Sequence, residues 1–176
     1  SYLVNYTILI IFILVILNSI NLIDGIDNLA GIICSVISIA FIFIISLLGH
    51  NSLIFYVIMG CLCSYLIYNN FISRVFLGDS GSLFLGWIFS IFSLLYVKHY
   101  NELTIHIPIL ILSIPIFDMI CVIIVRLNKM KNIFLPDHYH IHYLLQKNGF
   151  NNFNIFFLLF ILSIIFSIIS FLIFNR

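Results

Sequence analysis

Six long apolar runs dominate this chain and restrict it to one class of fold. A helix must have about 20 predominantly apolar residues to cross the hydrocarbon core of a bilayer. The runs that reach or nearly reach this length cover residues 3–20, 29–48, 52–68, 82–97, 105–125 and 153–174. Hydrophobic residues make up 64% of the chain and charged residues only 7%, whereas a soluble domain is about 25% charged. The sequence therefore predicts an all-α integral membrane protein, a polytopic bundle of six transmembrane helices forming a single domain over residues 1–176.

The distribution of basic residues predicts how this bundle is oriented. Six crossings put the connections after the first, third and fifth helices on one side of the membrane. That side carries most of the basic residues, namely Arg74, Arg126, Lys129, Lys131 and Lys147. Lys and Arg accumulate in cytoplasmic loops, so this side is predicted to be cytoplasmic. The net charge of only +1 provides no broad basic face, which argues against a nucleic-acid partner.

A first polar segment, residues 21–31, follows the first apolar run. It contains Asp24 and Asp27, and a helical turn would place residues three apart on one side. A carboxylate at the membrane edge is costly unless a cation or hydrogen bonds satisfy it. Such a pair can bind Mg²⁺, position a nucleophile, or hold a sugar or base. The structural alternative is a helix start whose acidic residues complement the dipole. That role does not require two acidic residues, so we expect Asp24 and Asp27 to have a functional role.

A second polar segment, residues 76–86, precedes the fourth apolar run. Here Asp79 is followed by Gly81 and Ser82, where the fourth helix is predicted to begin. Free N–H groups at a helix start favour phosphate, and a neighbouring carboxylate can hold Mg²⁺. The segment therefore predicts a diphosphate–magnesium site. The alternative is that Ser82 merely caps the helix and Asp79 is exposed.

A histidine segment, residues 137–142, lies on the same predicted side. His138, His140 and His142 would share a face if the segment were extended, whereas on a helix only His138 and His142 would do so. Zinc is one alternative, but no fourth ligand is evident nearby. Contact with phosphate or a leaving group is favoured over zinc and over incidental surface histidines.

The fifth apolar run differs from the others in containing a carboxylate and two prolines. Pro108 and Pro115 predict a kink, which membrane helices tolerate. Asp118 is an ionisable residue inside a predicted span, and such residues are functional candidates. An equal alternative is that Asp118 is a structural anchor for the connections on the cytoplasmic side.

With these segments described, a family resemblance is recognisable over essentially the whole chain. Residues 21–27 resemble the Asn-x-x-Asp-Gly-x-Asp-Gly segment of the polyprenyl-phosphate N-acetylhexosamine-1-phosphate transferases, and residues 76–83 resemble their Phe-x-Gly-Asp-x-Gly-Ser-Leu segment. Residues 136–142 are similar to the Asp-Arg-x-His-x-His-His loop of the N-acetylglucosamine branch, and residues 115–118 to its Pro-x-x-Asp. Three motifs in the right order on one predicted face indicate this family.

The resemblance implies a reaction in the cytoplasmic (inner) membrane, with the active face cytoplasmic. A sugar-1-phosphate, N-acetylglucosamine-1-phosphate by the branch, would pass from a UDP-sugar to undecaprenyl or a similar polyprenyl phosphate, releasing UMP. Mg²⁺, or Mn²⁺ in its place, would be the cofactor, and a homodimer is an allowed assembly. The implied catalytic residues are Asp24, Asp27 and Asp79, with Asp79 the metal ligand. The implied substrate-binding residues are Asn21, Gly81, Ser82, His138, His140 and His142.

The chain also departs from the family pattern. Asn28 stands where the family usually has Gly, His138 where it has Arg, and Tyr143 where it has a third His. The adjacent Asp-Asp pair that the family carries on an earlier helix is absent, and ten or eleven crossings are usual. We therefore expect the C-terminal part of a longer transferase, the alternatives being a truncated inactive relative or a member of the muramyl-pentapeptide branch.

Two other classes remain as alternatives to a transferase. A rhomboid-type intramembrane protease would use Ser80 as nucleophile, but it needs a histidine on the sixth helix, and residues 153–174 contain none. A transporter would want ionisable residues at mid-membrane, whereas those of this chain cluster at one edge.

Overall fold

A computed structural model describes residues 2–25, 28–72, 75–100, 102–128 and 140–174. The described residues form helices and contain no strand. The helices are α1 (Tyr2–Ile23), α2 (Leu29–Leu47), α3 (Leu53–Phe71), α4 (Gly78–Tyr100), α5 (His106–Ile111), α6 (Ser113–Asn128), α7 (Ile141–Lys147) and α8 (Asn152–Phe174), and a single 3₁₀ turn at Glu102–Ile105 precedes α5.

Among the described residues, five helices are long and apolar enough to cross a membrane: α1, α2, α3, α4 and α8. Their outward faces carry many exposed large apolar side chains, an arrangement that suits lipid and would be costly in water. The protein is therefore an all-α integral membrane bundle, as the apolar runs predict.

The fifth predicted crossing, residues 105–125, is divided into two helices at Leu112. α5 ends at Ile111, and Leu112 leaves the helical conformation (φ −90°, ψ 10°) before α6 begins at Ser113. Pro115 has no N–H to donate to the Ile111 carbonyl, and its ring clashes with that carbonyl. The predicted kink is thus confirmed, although the Leu112 N–H still donates to the Pro108 carbonyl and its carbonyl accepts from Ile116. α5 together with α6 takes the place of the fifth predicted crossing.

The packing of α1 against α4 sets the geometry of the functional end of the molecule. The two helices contact each other extensively, and α1 also packs on α6. A Cβ atom on Gly86 would lie only 2.8 Å from the backbone Cα of Leu17, so only glycine permits this crossing. α2 packs on α3 and α8, and stacked rings of Phe41, Phe55 and Phe89 lie in the core. The C-terminal end of α1 and the first turn of α4 consequently lie side by side.

Candidate functional site

The two polar segments are in direct contact where α1 ends and α4 begins. The Asn21 side-chain amide donates hydrogen bonds to Asp79 Oδ1 at 2.9 Å and to Ser82 Oγ at 2.9 Å. One turn on, Asp24 Oδ2 accepts the backbone N–H of Gly78 at 2.9 Å. These bonds join residues more than 50 positions apart in sequence, so two acidic residues from separate helix ends meet at one site.

The Asp24 carboxyl group is electrostatically unusual. Burial raises its pKa, and the negative charge of Asp79 raises it further, while the backbone N–H groups of Gly78 and Leu77 lower it by donating to the ionised form. A carboxylate whose charged form is disfavoured by burial and by a second carboxylate gains from a bound cation or proton. The site therefore favours a positively charged species close to Asp24 and Asp79.

Helix α4 begins four residues earlier than predicted, at Gly78 rather than at Ser82. Asp79 consequently lies in the first turn and is exposed, and its charge complements the helix dipole. Ser82 is fully buried and donates to the Gly78 carbonyl at 2.9 Å, so the alternative that Ser82 is a simple N-cap is wrong. At Gly81 a Cβ atom would meet only the Leu77 side chain at 3.5 Å, an ordinary contact.

Asp118 binds the first two described residues after the gap at 129–139, His140 and Ile141. Its Oδ2 lies 3.0 Å from His140 Nδ1, and its Oδ1 accepts the backbone N–H of Ile141 at 2.6 Å. His140 is extended (φ −63°, ψ 152°) and immediately precedes α7. Asp118 is only 2% exposed, and both oxygens of its buried carboxylate are hydrogen-bonded, as burial requires. The structure thus supports the anchoring alternative for Asp118.

His142 reaches across to the first polar segment. Its ring stacks on that of His140, with centroids 5.4 Å apart and planes within 5°. A Cβ atom on Gly25 would lie 2.7 Å from both Cε1 and Nε2 of His142, so glycine is required where the ring docks. The ring is 1% exposed, and within the described part of the chain its Nε2 has no hydrogen-bond partner.

Burial keeps His142 neutral. It lowers the pKa of the imidazole to about 4, with a smaller lowering from His140, and the Asp118 carboxylate opposes both. A neutral imidazole with an unpartnered buried nitrogen can accept or donate one hydrogen bond to a ligand. The three polar elements of the sequence therefore converge on one end of the bundle.

Two of the sequence-predicted site residues, Asp27 and His138, lie outside the described residues. Of the others, Asn21, Asp24, Asp79 and Ser82 form one hydrogen-bonded group, and His142 touches it through Gly25.

The oxygens of Asp24 and Asp79 are the described groups best suited to a metal ion. Within the described ranges, no group of three or more His, Cys, Asp or Glu side chains could hold one. Mg²⁺ usually keeps several waters and binds through one or two carboxylates plus substrate phosphates. The donor set thus fits Mg²⁺ bound together with a phosphate-bearing ligand.

A group of asparagines at the same end was missed from the sequence. Asn28 adopts a left-handed conformation (φ 68°) and connects by side-chain hydrogen bonds to Asn69 and Asn70 on the last turn of α3. A left-handed residue is most often Gly or Asn, which explains an asparagine at a position where the resembling motif has glycine. That departure was the only signal in the sequence.

Comparison with known proteins gives consistent matches. The model of the family described as Glycosyl transferase family 4 matches residues 1–97. A Bacillus subtilis (strain 168) protein named "Probable undecaprenyl-phosphate N-acetylglucosaminyl 1-phosphate transferase" is 39% identical over 122 residues, covering 67% of this chain and 34% of the relative. Proteins named undecaprenyl-phosphate alpha-N-acetylglucosaminyl 1-phosphate transferase are 38% identical in Yersinia pestis and 33% identical in Escherichia coli (strain K12), each over 82 residues, 45% of this chain and 22% of the relative. The chain spans about a third or less of the length of these relatives.

Proposed function

Because this chain belongs to glycosyl transferase family 4, we propose that it carries the acidic and histidine parts of a sugar-1-phosphate transferase site. The reaction is transfer of N-acetylglucosamine-1-phosphate from UDP-N-acetylglucosamine to undecaprenyl phosphate or a similar polyprenyl phosphate. The observation that carries the proposal is the hydrogen-bonded contact of Asn21 and Asp24 with Asp79 and Gly78 at one end of the bundle. The names of the matched relatives supply the substrate class.

The chemistry is a phosphoryl transfer whose atoms balance. An oxygen of the lipid phosphate attacks the β-phosphorus of the UDP-sugar and forms a new P–O bond. The bond between that phosphorus and the bridging oxygen breaks, and UMP leaves with the bridging oxygen. Such transfers depend mainly on positioning and on neutralisation of phosphate charge. The residues of this site are suited to both tasks.

Each residue has a distinct part in this proposal. Asp79 and Asp24 would hold Mg²⁺, which would supply positive charge to neutralise the diphosphate. Asn21 keeps the Asp79 carboxylate in place through its 2.9 Å hydrogen bond. His142, neutral and with Nε2 unpartnered among described residues, hydrogen-bonds the diphosphate or the sugar, and His140 lies stacked beside it. Asp27 and His138 would contribute from the adjoining segments.

The orientation in the membrane is also part of the proposal. The site end of the bundle includes the C-terminal part of α6, with Arg126, and the C-terminal end of α7, with Lys147. Basic residues favour the cytoplasmic side, where a nucleotide sugar is available. We therefore assign the site to the cytoplasmic face of the cytoplasmic (inner) membrane.

The proposal is tested by Asp79→Asn in the full-length protein that contains this chain. The measurement is Mg²⁺-dependent release of UMP from UDP-N-acetylglucosamine in membranes supplied with polyprenyl phosphate. Removing one charged metal ligand is expected to lower turnover at least about 100-fold. Ser80→Ala, a change at the next, exposed residue, is the matched control and should keep turnover. Unchanged UMP release by Asp79→Asn would refute the metal role, and an equal loss in Ser80→Ala would show that the effect is not specific to the Asp79 carboxylate.

A further inference from the structure

A chain of side-chain amides links the first polar segment to the connection that leads into α4. Asn69 Nδ2 donates to Asn28 Oδ1 at 2.7 Å, and Asn28 Nδ2 donates to Asn70 Oδ1 at 2.9 Å. At one end of the chain the backbone N–H of Val75 donates to Asn69 Oδ1. At the other end Asn70 Nδ2 donates to the Leu66 carbonyl at 2.9 Å. Three asparagines thus connect two backbone groups in series.

The two backbone groups at the ends of this series of asparagines fix the direction of every hydrogen bond in it. A backbone N–H can only donate and a carbonyl can only accept. The Val75 N–H requires an oxygen from Asn69, so the NH₂ of Asn69 faces Asn28. The Leu66 carbonyl requires the NH₂ of Asn70, so the oxygen of Asn70 faces Asn28. Asn28 must then present oxygen to Asn69 and NH₂ to Asn70. An asparagine at position 28 satisfies both neighbours at once, which an aspartate or a glycine cannot do.

The linked asparagines attach to the backbone close in sequence to Asp24 and to Gly78. Asn28 lies four residues after Asp24, and Val75 lies three residues before Gly78. Val75 is held on its other side as well, because the Tyr65 hydroxyl donates to its carbonyl at 2.8 Å. The two polar segments are thus joined directly by hydrogen bonds of Asn21 and Asp24. Asn28 adds an indirect connection, through Asn69 to Val75, just before the second segment.

We propose that Asn28 is a positioning residue for the transferase site, which fixes the first polar segment relative to Val75 and so holds Asp24 against the start of α4. This inference rests on the proposed function for its catalytic readout. Asn28 itself touches no reacting atom. Its effect passes through Asn69 and Val75 to Gly78, whose N–H partner is the Asp24 carboxylate.

The test is Asn28→Gly in the full-length protein that contains this chain. Glycine accepts φ 68° without strain, so the backbone is kept while both amide bonds are lost. Two lost hydrogen bonds are expected to lower kcat about tenfold, with KM for UDP-N-acetylglucosamine changed less than about twofold. Hydrogen exchange at the Val75 amide should accelerate about tenfold. Asn28→Asp, which keeps the acceptor for Asn69 and tolerates the left-handed conformation, should recover part of the loss.

The matched control is Asn18→Ala, which removes an exposed amide whose hydrogen bond among the described residues is to the Leu14 carbonyl within α1. It should leave kcat and Val75 exchange unchanged. Unchanged Val75 exchange in Asn28→Gly overturns the inference whatever the activity, and faster exchange with unchanged kcat overturns the positioning role. If the unmodified protein shows no turnover, the proposed function fails, and the exchange measurement still decides whether Asn28 holds the connection.

Discussion

Replacement of Asp118 by Asn separates the charge of this residue from its shape. The carboxylate accepts from Ile141 N–H and from His140 Nδ1, and an ionised carboxylate can only accept, so Nδ1 carries the proton. An Asn side chain has one oxygen. If that oxygen stays with Ile141, the NH₂ group faces His140 Nδ1 and forces the proton onto the other ring nitrogen. The substitution therefore reverses the tautomer of His140 while keeping the volume of the side chain.

The magnitude follows from burial. Asp118 is 2% exposed, so water cannot stand in for its charge. Losing a hydrogen bond to a charged group, together with the enforced change of the His140 tautomer, is expected to cost about 2 kcal/mol. At 1.36 kcal/mol per tenfold change this corresponds to a loss of about 30-fold in kcat/KM. Asp118→Ala, which also frees the Ile141 N–H, should lose more.

The assay is formation of lipid-linked N-acetylglucosamine phosphate from labelled UDP-N-acetylglucosamine by the full-length protein. The thermal unfolding midpoint of each variant in detergent should be measured as well, to distinguish loss of the folded state from a shift of His140 within a folded protein. Ile120→Ala, on the exposed side of the same helix, is the control and should retain full activity. Activity of Asp118→Asn within about threefold of the unmodified protein would refute the anchoring role.

Two further predictions concern His142 and its contact with Gly25. Gly25→Ala places a methyl group 2.7 Å from the His142 ring and should lower turnover at least about tenfold. Gly60→Ala, whose added methyl group would meet nothing within 4 Å, is the control and should keep turnover. Equal activity of the two variants would contradict the close contact of His142 with Gly25. Because burial lowers the pKa of His142 to about 4 from an unfolded value of about 6.5, the unfolded state binds more protons below pH 6.5, and stability should fall by about 3 kcal/mol between pH 6.5 and 4. Asp24, whose pKa is raised, binds a proton more readily in the folded state and so opposes this loss of stability. A pH titration of the unfolding midpoint that is flat from pH 6.5 to 5, or identical in His142→Gln, would contradict the assignment of His142.

The long apolar runs were sufficient to predict α1, α2, α3, α4 and α8, because a span of about 20 apolar residues has few alternatives in lipid. The runs could not show that α4 begins at Gly78 rather than at Ser82. Polar residues at a helix start contribute nothing to the apolar pattern, and the carboxylate that accepts the Gly78 N–H comes from another helix. The kink at Leu112 was predicted from the prolines, because Pro115 removes a helical hydrogen bond, but the pattern could not show how far the backbone departs from helical geometry.

The sequence singled out acidic and histidine residues that the structure brings together, but not the hydrogen bonds of the asparagines beside them. Asp24 and Asp79 are conspicuous as carboxylates in an apolar chain, and the histidines are conspicuous by their spacing. Asn69 and Asn70 are not, because asparagine is common in this chain and carries no periodicity. Their role depends on the left-handed backbone of Asn28, which a single sequence does not reveal.

α1 and α4 make their close contact at Leu17 and Gly86, and a change in the angle between the two helices would pivot about this contact. Asp24 lies about seven residues beyond Leu17, and Asp79 about seven residues from Gly86 in the same direction, so both arms are about 10 Å long at 1.5 Å per residue. A change of about 10° in the crossing angle would therefore move the two carboxylates by about 2 Å relative to each other. Bilayer thickness alters helix tilt, so the thickness of the surrounding bilayer is coupled to the separation of the Asp24 and Asp79 carboxylates.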